Sequence, residues 1–238
     1  MDADQPGSLD DPRDPEAKKS FHEALAYAAK LYDLEGLNKQ DDNEAQRYFK
    51  KALTRTAKLS DKMLHSWVEI HLAELALRLG LKPATHYTDA LEPFKALNLD
   101  SLDPPSRSDS VNLMLTCYYH LGRLGESAQN KGPNVGVKWY QSQLDLAEKY
   151  GSSVFQVLAH ERLAYISLLE GLTQTSSSDQ SKSFQNAYEH AKKAWEINKS
   201  FSDEGSGVIE PNVLVELMIN IVDGIIKLSN VNSSPLIP

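Results

Sequence analysis

The stretch that decides the fold is "LYDLEGLNKQDDNEAQRYFKKAL", residues 31–53. Before its polar break, Tyr32 stands four residues ahead of Gly36. After the break, a small–aromatic–small series follows at spacings of four and three: Ala45, Phe49 and Ala52. Residues spaced in this way lie on one face of a helix. The stretch therefore predicts the end of one helix, a turn and a second helix that packs closely against the first.

The same helical spacing continues along nearly the whole chain, and no segment has a convincing period of two. Turn-forming residues interrupt it at intervals, for example at "QNKGPN" (129–134) and "YGSS" (150–153). Cutting the chain at these breaks predicts nine helices: 18–36, 43–58, 61–80, 89–97, 108–128, 134–150, 153–172, 180–199 and 211–229. Pro93 falls inside the fourth of them, near its first turn.

A glycine recurs at a matching point of four segments. Gly36, Gly80, Gly122 and Gly171 are 44, 42 and 49 residues apart, and each follows a small or aromatic residue by four positions. We expect each glycine to end a helix in the left-handed conformation. A second helix follows each one, marked in the later units by these residues: Ala90, Phe94 and Leu97; Trp139, Tyr140 and Leu144; Ala187, Ala191 and Ala194.

These residues resemble the tetratricopeptide repeat, a helix–turn–helix unit that stacks into arrays. The first unit matches the repeat well. The resemblance as a whole covers roughly residues 20–200 and is degenerate. Ala29, Ala73, Leu115 and Ala164 stand where that family has a small glycine, and no unit has the usual closing proline. The resemblance implies an all-α fold, a right-handed α-solenoid of about four antiparallel helix pairs, with 211–229 as a C-terminal capping helix.

Three other helical architectures compete with this interpretation. An all-α bundle would use the glycines only to end helices. The 14-3-3 architecture has nine helices and similar length and acidity, but its Lys-Arg-Arg-Tyr phosphate cluster has no counterpart here. The helical array of the SNAP-type vesicle-fusion adaptors is neither excluded nor singled out by the sequence.

The net charge and the cysteine content limit the functions that this protein can have. The net charge of −8 and scattered basic residues argue against a nucleic-acid partner. The single cysteine, Cys117, excludes an internal disulfide and a thiolate metal cluster. We expect a disordered acidic, Pro-rich tail at 1–17, one helical repeat domain at 18–229 and a flexible tail at 230–238. With no signal peptide or membrane-spanning segment evident, the expected location is cytoplasmic.

Motifs for catalysis are missing from the sequence. It has no HExxH, Walker-type loop, GxGxxG or GxSxG, and its seven histidines are dispersed. We therefore expect no enzymatic activity, no catalytic residues, no cofactor and no metal site. A centre assembled from dispersed residues is the distant alternative.

The tetratricopeptide resemblance implies that the first helix of each pair lines a concave groove. The positions that we expect to bind a peptide or partner helix there are Lys30, Trp67, Glu74, Arg78, Asn112, Thr116, Tyr119, His120, Glu161 and Tyr165. The expected function is thus that of a protein–protein interaction adaptor or scaffold. The alternative is a structural or assembly subunit that docks as a rigid piece. Chaperone-binding members of that family hold their ligand with a clamp of lysine and asparagine side chains. This clamp is absent here, because Ala26, His71 and Asp109 occupy positions that belong to it.

The last predicted helix has one wide apolar face and one polar stripe. The apolar face comprises Leu214, Leu217, Met218, Ile221, Ile225 and Leu228. We expect it to cover the fourth helix pair, or else to dimerise through 211–229. The polar stripe, expected to face water, comprises Glu216, Asn220, Asp223 and Lys227.

Overall fold

A computed structural model describes residues 32–33, 35–58, 63–127, 134–202 and 207–233 of the chain. These residues form helices and the turns between them, and none of them belongs to a strand. The predicted all-α class is therefore confirmed for them. The predicted tail at 1–17, Lys30, and the last five residues of the predicted tail at 230–238 lie outside the described part.

Eight α-helices follow one another along the described chain. They are α1 (Asp42–Thr56), α2 (Met63–Arg78), α3 (Ala84–Leu91), α4 (Pro104–Ser127), α5 (Asn134–Tyr150), α6 (Ser153–Thr173), α7 (Ser177–Ser202) and α8 (Pro211–Ser233). Helical residues also precede α1, at 32–33 and 35–37. Short 3₁₀ turns, Glu92–Phe94 and Leu99–Ser101, lie between α3 and α4. Among the described residues, no helix combines the length and the apolar character needed to cross a membrane.

The predicted boundaries of the helices from α1 onwards agree within four residues, except for one element. The fourth predicted helix, 89–97, is instead α3 at Ala84–Leu91, and Pro93 lies in the 3₁₀ turn after it. A proline there ends the helix because it has no N–H for the next hydrogen bond. The Ser-rich segment before 180 belongs to α7 rather than to a loop. Residues 230–233 extend α8 instead of starting a flexible tail.

The described residues up to Leu102 form one compact unit. In it, α1 packs on α2 and α2 packs on α3. Its core contains the small–aromatic–small series of α1 and apolar residues of α2: Ala45, Phe49, Ala52, Val68, Leu72 and Leu75. The small–aromatic–small series of the opening stretch is thus buried in this core.

The described residues from Asp103 onwards form a second compact unit. Each helix packs on the next, from α4 to α8, and α6 also contacts both α4 and α8. One core cluster joins α5 to α6 through Tyr140, Leu144, Ala159, Leu163 and Ile166. Another joins α6, α7 and α8 through Ala164, Leu168, Phe184, Ala187, Ala191, Leu217 and Ile221.

A glycine–aromatic contact recurs in three helix pairs. A Cβ atom added to Gly36 would lie 2.6 Å from Phe49, one on Gly122 would lie 2.5 Å from Tyr140, and one on Gly171 would lie 2.8 Å from Phe184. Real Cβ atoms essentially never come this close to another heavy atom. The ring in each pair thus occupies the space that a side chain would need, which requires glycine at all three positions.

The prediction that all four glycines adopt the left-handed conformation was wrong for three of them. Among the described glycines, positive φ occurs only at Gly80 (65°) and Gly151 (73°). Gly80 follows the end of α2, where the N–H of Leu81 donates to the carbonyl of Ala76 at 2.8 Å and closes a Schellman-type end. The other three are glycine because of a neighbouring ring and not because of a helix end.

Candidate partner-binding surfaces

Three predicted groove residues share one face of α2 in the first unit. Trp67, Glu74 and Arg78 are all exposed, and their spacing of seven and four places them in one row. Trp67 leaves 39% of its surface exposed and lies beside His71, with ring centres 6.3 Å apart. Arg78 forms an ion pair with Asp42, Nη2 to Oδ1 3.0 Å. This face therefore carries one exposed aromatic ring and charges of both signs.

His71, the neighbour of the Trp67 ring, is itself fixed by two contacts. Its Nδ1 lies 2.7 Å from the Oδ1 of Asp33, a buried carboxylate. On the same ring, Phe49 packs with its centre 5.7 Å away. A hydrogen bond and a ring contact thus fix the imidazole, and a fixed imidazole limits the orientations open to Trp67.

Four predicted groove residues lie on α4 in the second unit. Asn112 is exposed and lines a shallow cleft of about 410 Å³ with Tyr150. The hydroxyl of Thr116 donates to the carbonyl of Asn112 at 2.9 Å, so it is engaged within its own helix. Tyr119 is half-buried and packs edge-on against both His120 and Tyr140, with ring centres 5.6 and 6.4 Å apart.

A hydrogen-bonded ion pair that sequence reasoning missed ties α4, α5 and α6 together. Glu126 of α4 accepts two hydrogen bonds from the guanidinium of Arg162 on α6, at 3.1 Å from Nε and 2.6 Å from Nη2. It also accepts one from the hydroxyl of Tyr140 on α5, at 2.5 Å. The bidentate geometry is the strongest that arginine and a carboxylate form. It fixes the relative position of the three helices at this point.

Two more predicted groove residues flank this ion pair. Nη1 of Arg162 lies 3.4 Å from Oε1 of Glu161, and its guanidinium carbon lies 4.9 Å from the centre of the Tyr165 ring. The structure therefore brings two predicted residues, Glu161 and Tyr165, against Arg162, which with Glu126 was not predicted. A third predicted residue, Tyr119, reaches Glu126 only through the ring of Tyr140. We call these five residues, together with Tyr140, the Arg162 cluster.

The pKa values of Glu161, Tyr140 and Arg162 in the Arg162 cluster are shifted. Burial raises the pKa of Glu161 above its ordinary value, with Glu126 adding to the rise and Arg162 opposing it. Burial, together with Glu126, also raises the pKa of the Tyr140 hydroxyl. For Arg162, burial lowers the pKa, but the hydrogen bond and charges of Glu126 and Glu161 raise it overall. The surroundings of Glu161 therefore compensate the negative charge of its carboxylate only in part.

A second surface lies between α7 and α8. An open groove of about 520 Å³, which we call the α7–α8 groove, is lined mainly by apolar side chains: Trp195, Val215, Met218, Ile219, Val222 and Ile226. Ile219 leaves 61% of its surface exposed and Ile226 leaves 53%. An apolar row of this kind on a surface marks a place where another molecule docks.

The sequence prediction for α8 was right about its inner face and incomplete about its outer one. Leu214, Leu217 and Ile221 are buried as expected. Ile225, expected to be covered, leaves 38% of its surface exposed. The prediction missed an outer apolar row, which comprises Val215, Ile219, Val222 and Ile226. The spacing of four, three and four residues in this row is helical and was the signal that could have revealed it.

Clusters of the kind that bind metal ions do not occur among the described residues, taking three or more His, Cys, Asp or Glu side chains as the criterion. The described histidines of the first unit, His65, His71 and His86, lie close to carboxylates instead. Nδ1 of His86 lies 2.7 Å from Oε2 of Glu69, and Nε2 of His65 lies 3.9 Å from Oε1 of the same carboxylate. Glu69 is buried, so these contacts give its carboxylate oxygens polar partners within the core.

No protein-family model and no curated protein sequence matches this chain. Among solved structures, it is similar to a chain from the computational design of self-assembling cyclic protein homo-oligomers. That similarity covers 91% of this chain and 85% of the other, at 15% identity and a TM-score of 0.23. Agreement at this level supports no argument about fold or function, so the proposals below depend on the residues of this chain.

Proposed function

We propose that this protein is a protein–protein interaction adaptor, built as a right-handed, tetratricopeptide-like α-solenoid, which binds a peptide along its first helices. The recurring glycine–aromatic contact in three helix pairs supports a common helix–turn–helix unit. So does the packing order in the second unit, where α6 contacts α5, α7 and both next-but-one helices. Arrays of this kind work by presenting one extended face to another polypeptide.

The Arg162 cluster is the observation that carries this proposal. Arg162 holds the partly exposed ring of Tyr165 and the carboxylate of Glu161 side by side, and Glu126 holds Arg162. A fixed aromatic ring next to a carboxylate loses little entropy when a ligand binds. Tyrosine also offers an apolar face and a hydroxyl to a peptide.

The chemistry of the cluster favours a basic side chain in the bound peptide. Glu161 has a single described ion pair, at 3.4 Å, and burial already disfavours its charge. A lysine or arginine from a peptide would supply the compensating charge. An apolar neighbour in the same peptide would cover the ring of Tyr165. We therefore expect the ligand to be an extended basic segment with an apolar residue nearby.

Selection from a random twelve-residue peptide library, followed by fluorescence anisotropy of the selected peptides, tests this function. We expect enrichment of Lys and Arg, and at least about tenfold weaker binding after Tyr119→Ala or Tyr165→Ala. Tyr48→Ala is the matched control, since Tyr48 is a half-buried tyrosine on α1 in the other unit. Selection of no peptide, or equal binding by all variants, would contradict the proposal.

The alternative function, a structural subunit that docks as a rigid piece, draws on a different observation. The outer face of α8 exposes an apolar row in a helix whose inner face is already packed. A subunit that docks through α8 would be unaffected by changes at Tyr119 and Tyr165. The peptide selection above therefore separates the two functions.

A further inference from the structure

Helix α8 is apolar on two sides. Leu214, Leu217 and Ile221 pack inward, and the outer row of the α7–α8 groove faces away from them. An exposed apolar face of this kind on a helix marks a place where another molecule packs. The four, three, four spacing of the outer row is also the spacing at which two helices pack along a common seam. The outer row is therefore built to be covered by another helix.

Contacts between α7 and α8 fix their direction and register. The amide of Asn198 bonds to Ile209 through both of its polar atoms, at 2.8 and 3.1 Å. At the other end, Phe184 packs against Gly224. The two helices are therefore antiparallel, and interpolation between these contacts puts Lys192 of α7 level with Glu216 of α8.

At the height of Lys192 and Glu216 along the helices, the two edges of the groove carry opposite charges. Lys192 precedes Trp195 by three residues, so it lies on the outward side of α7, and it is exposed. Its described ion pair with Glu196 is long, at 3.9 Å. Glu216 follows Val215 on α8 and is also exposed. At this height the groove therefore has a basic residue on its α7 edge and an acidic residue on its α8 edge.

We propose that a second copy of this chain covers the groove, related by a two-fold axis that runs along the helices. Such an axis places α7 of one protomer over α8 of its partner. Each residue keeps its height along the axis. It therefore places Lys192 of each protomer opposite the acidic edge formed by Glu216 in the other. Trp195 of each protomer then packs on the outer row of its partner's α8. The opposite charges of the two edges make this face complementary to itself.

The size of the face suits a dimer of moderate affinity. Twenty-three residues give α8 a length of about 35 Å, and two packed helices are roughly 20 Å wide. The resulting face of roughly 700 Å² is close to the about 800 Å² that each partner contributes to a standard interface. We expect a reversible dimer with a dissociation constant in the micromolar range.

Sedimentation equilibrium of the full chain between roughly 1 and 200 μM tests the dimer. We expect a monomer–dimer equilibrium that Ile219→Glu weakens at least about tenfold. Val213→Glu is the matched control: it puts the same charge at an exposed apolar position of the same helix, outside the groove lining. A monomer throughout the range would overturn the proposal. So would a dimer that Ile219→Glu and Val213→Glu affect equally.

Charge reversal tests the pairing across the axis. Lys192→Glu and Glu216→Lys should each weaken self-association several-fold, because each opposes like charges in the homodimer. Mixing the two variant chains should restore it, since every pair in the mixed dimer is again opposite in sign. Failure of the mixture to associate better than either variant alone would overturn this arrangement of the two protomers.

Discussion

The ring of Phe184 occupies the space that a side chain on Gly171 would fill. A Cβ on Gly171 would lie 2.8 Å from Cδ1 of Phe184, and one on Gly224 would lie 2.7 Å from Cε1 of the same ring. One phenyl ring therefore lies against two glycines, one on α6 and one on α8. The contact sets how closely α7 approaches both of its neighbours.

Gly171→Ala should destabilise the protein by about 1–3 kcal/mol, because the added methyl group forces the ring or a helix to move. In an exposed helix, the same substitution stabilises by roughly 0.5–1 kcal/mol, so the sign is diagnostic. Urea unfolding followed by circular dichroism measures the difference.

The control for Gly171→Ala is the same change in a Phe184→Leu background. There the methyl group meets a smaller side chain, and we expect most of the destabilisation to disappear. An unchanged or raised unfolding free energy for Gly171→Ala alone would show that the ring does not need this space.

Glu126→Gln should destabilise the second unit by about 2–3 kcal/mol, because it leaves Arg162 charged without its bidentate partner. The side chains of Arg162 and Glu126 keep 15% and 16% exposure, so the loss should fall below that of a fully buried pair. Glu196→Gln, which removes an exposed partner of Lys192, is the control and should change stability by less than about 0.5 kcal/mol. Equal melting temperatures for both variants would refute a structural role for the ion pair.

Glu161→Gln should have the opposite effect and stabilise the fold by up to about 1 kcal/mol. Burial raises the pKa of Glu161, so its charged form is less stable in the protein than in water. Replacing it by a neutral side chain of the same shape removes that penalty. The same variant should bind basic peptides more weakly. A thermal melt together with peptide titration checks both, and a destabilised variant would count against the prediction.

Stability should fall on acidification because of a buried histidine pair between α6 and α7. Nδ1 of His160 lies 2.9 Å from Nδ1 of His190, and burial, with the charges of His190 and Lys193, lowers the pKa of His160 to about 4. Unfolding restores the ordinary value of about 6.5, so the unfolded chain binds the proton first as the pH falls. The unfolding free energy should be constant above pH 6.5 and decrease below it, by about 2 kcal/mol between pH 7 and pH 5.

His160→Gln is the comparison for that pH dependence. Glutamine keeps hydrogen-bonding capacity but does not titrate, so the part of the slope due to His160 should vanish. His190, whose pKa burial also lowers, keeps its own smaller part. Urea titrations at several pH values measure it. If wild type and variant keep the same slope, the pH dependence arises elsewhere in the chain.

Local periodicity was enough to predict the helices, since each one carries its apolar positions at intervals of three and four. It was also enough to single out Gly36, Gly122 and Gly171. The reason for these glycines was not predictable, because their aromatic partners lie on the following helix. Phe184 shows this best: it follows a Ser-rich segment that resembles a loop, so the predicted series for that pair began at Ala187.

The two proposed partner surfaces were predictable only in part. Tyr119, Glu161 and Tyr165 followed from helical spacing and the tetratricopeptide resemblance. The ion pair that connects them joins residues 126 and 162, far apart in sequence and without a periodic signal. The outer row of α8 was missed because it alternates with Glu216 and Asp223, which made that side of the helix look polar.

The most direct test of the central claim is an amide chemical-shift map, by NMR, of a selected basic peptide bound to the full chain. We predict the largest shifts on α4 and α6, around Tyr119 and between Glu161 and Tyr165. Shifts confined to α7 and α8, or scattered over both units with no concentration near Arg162, would contradict it.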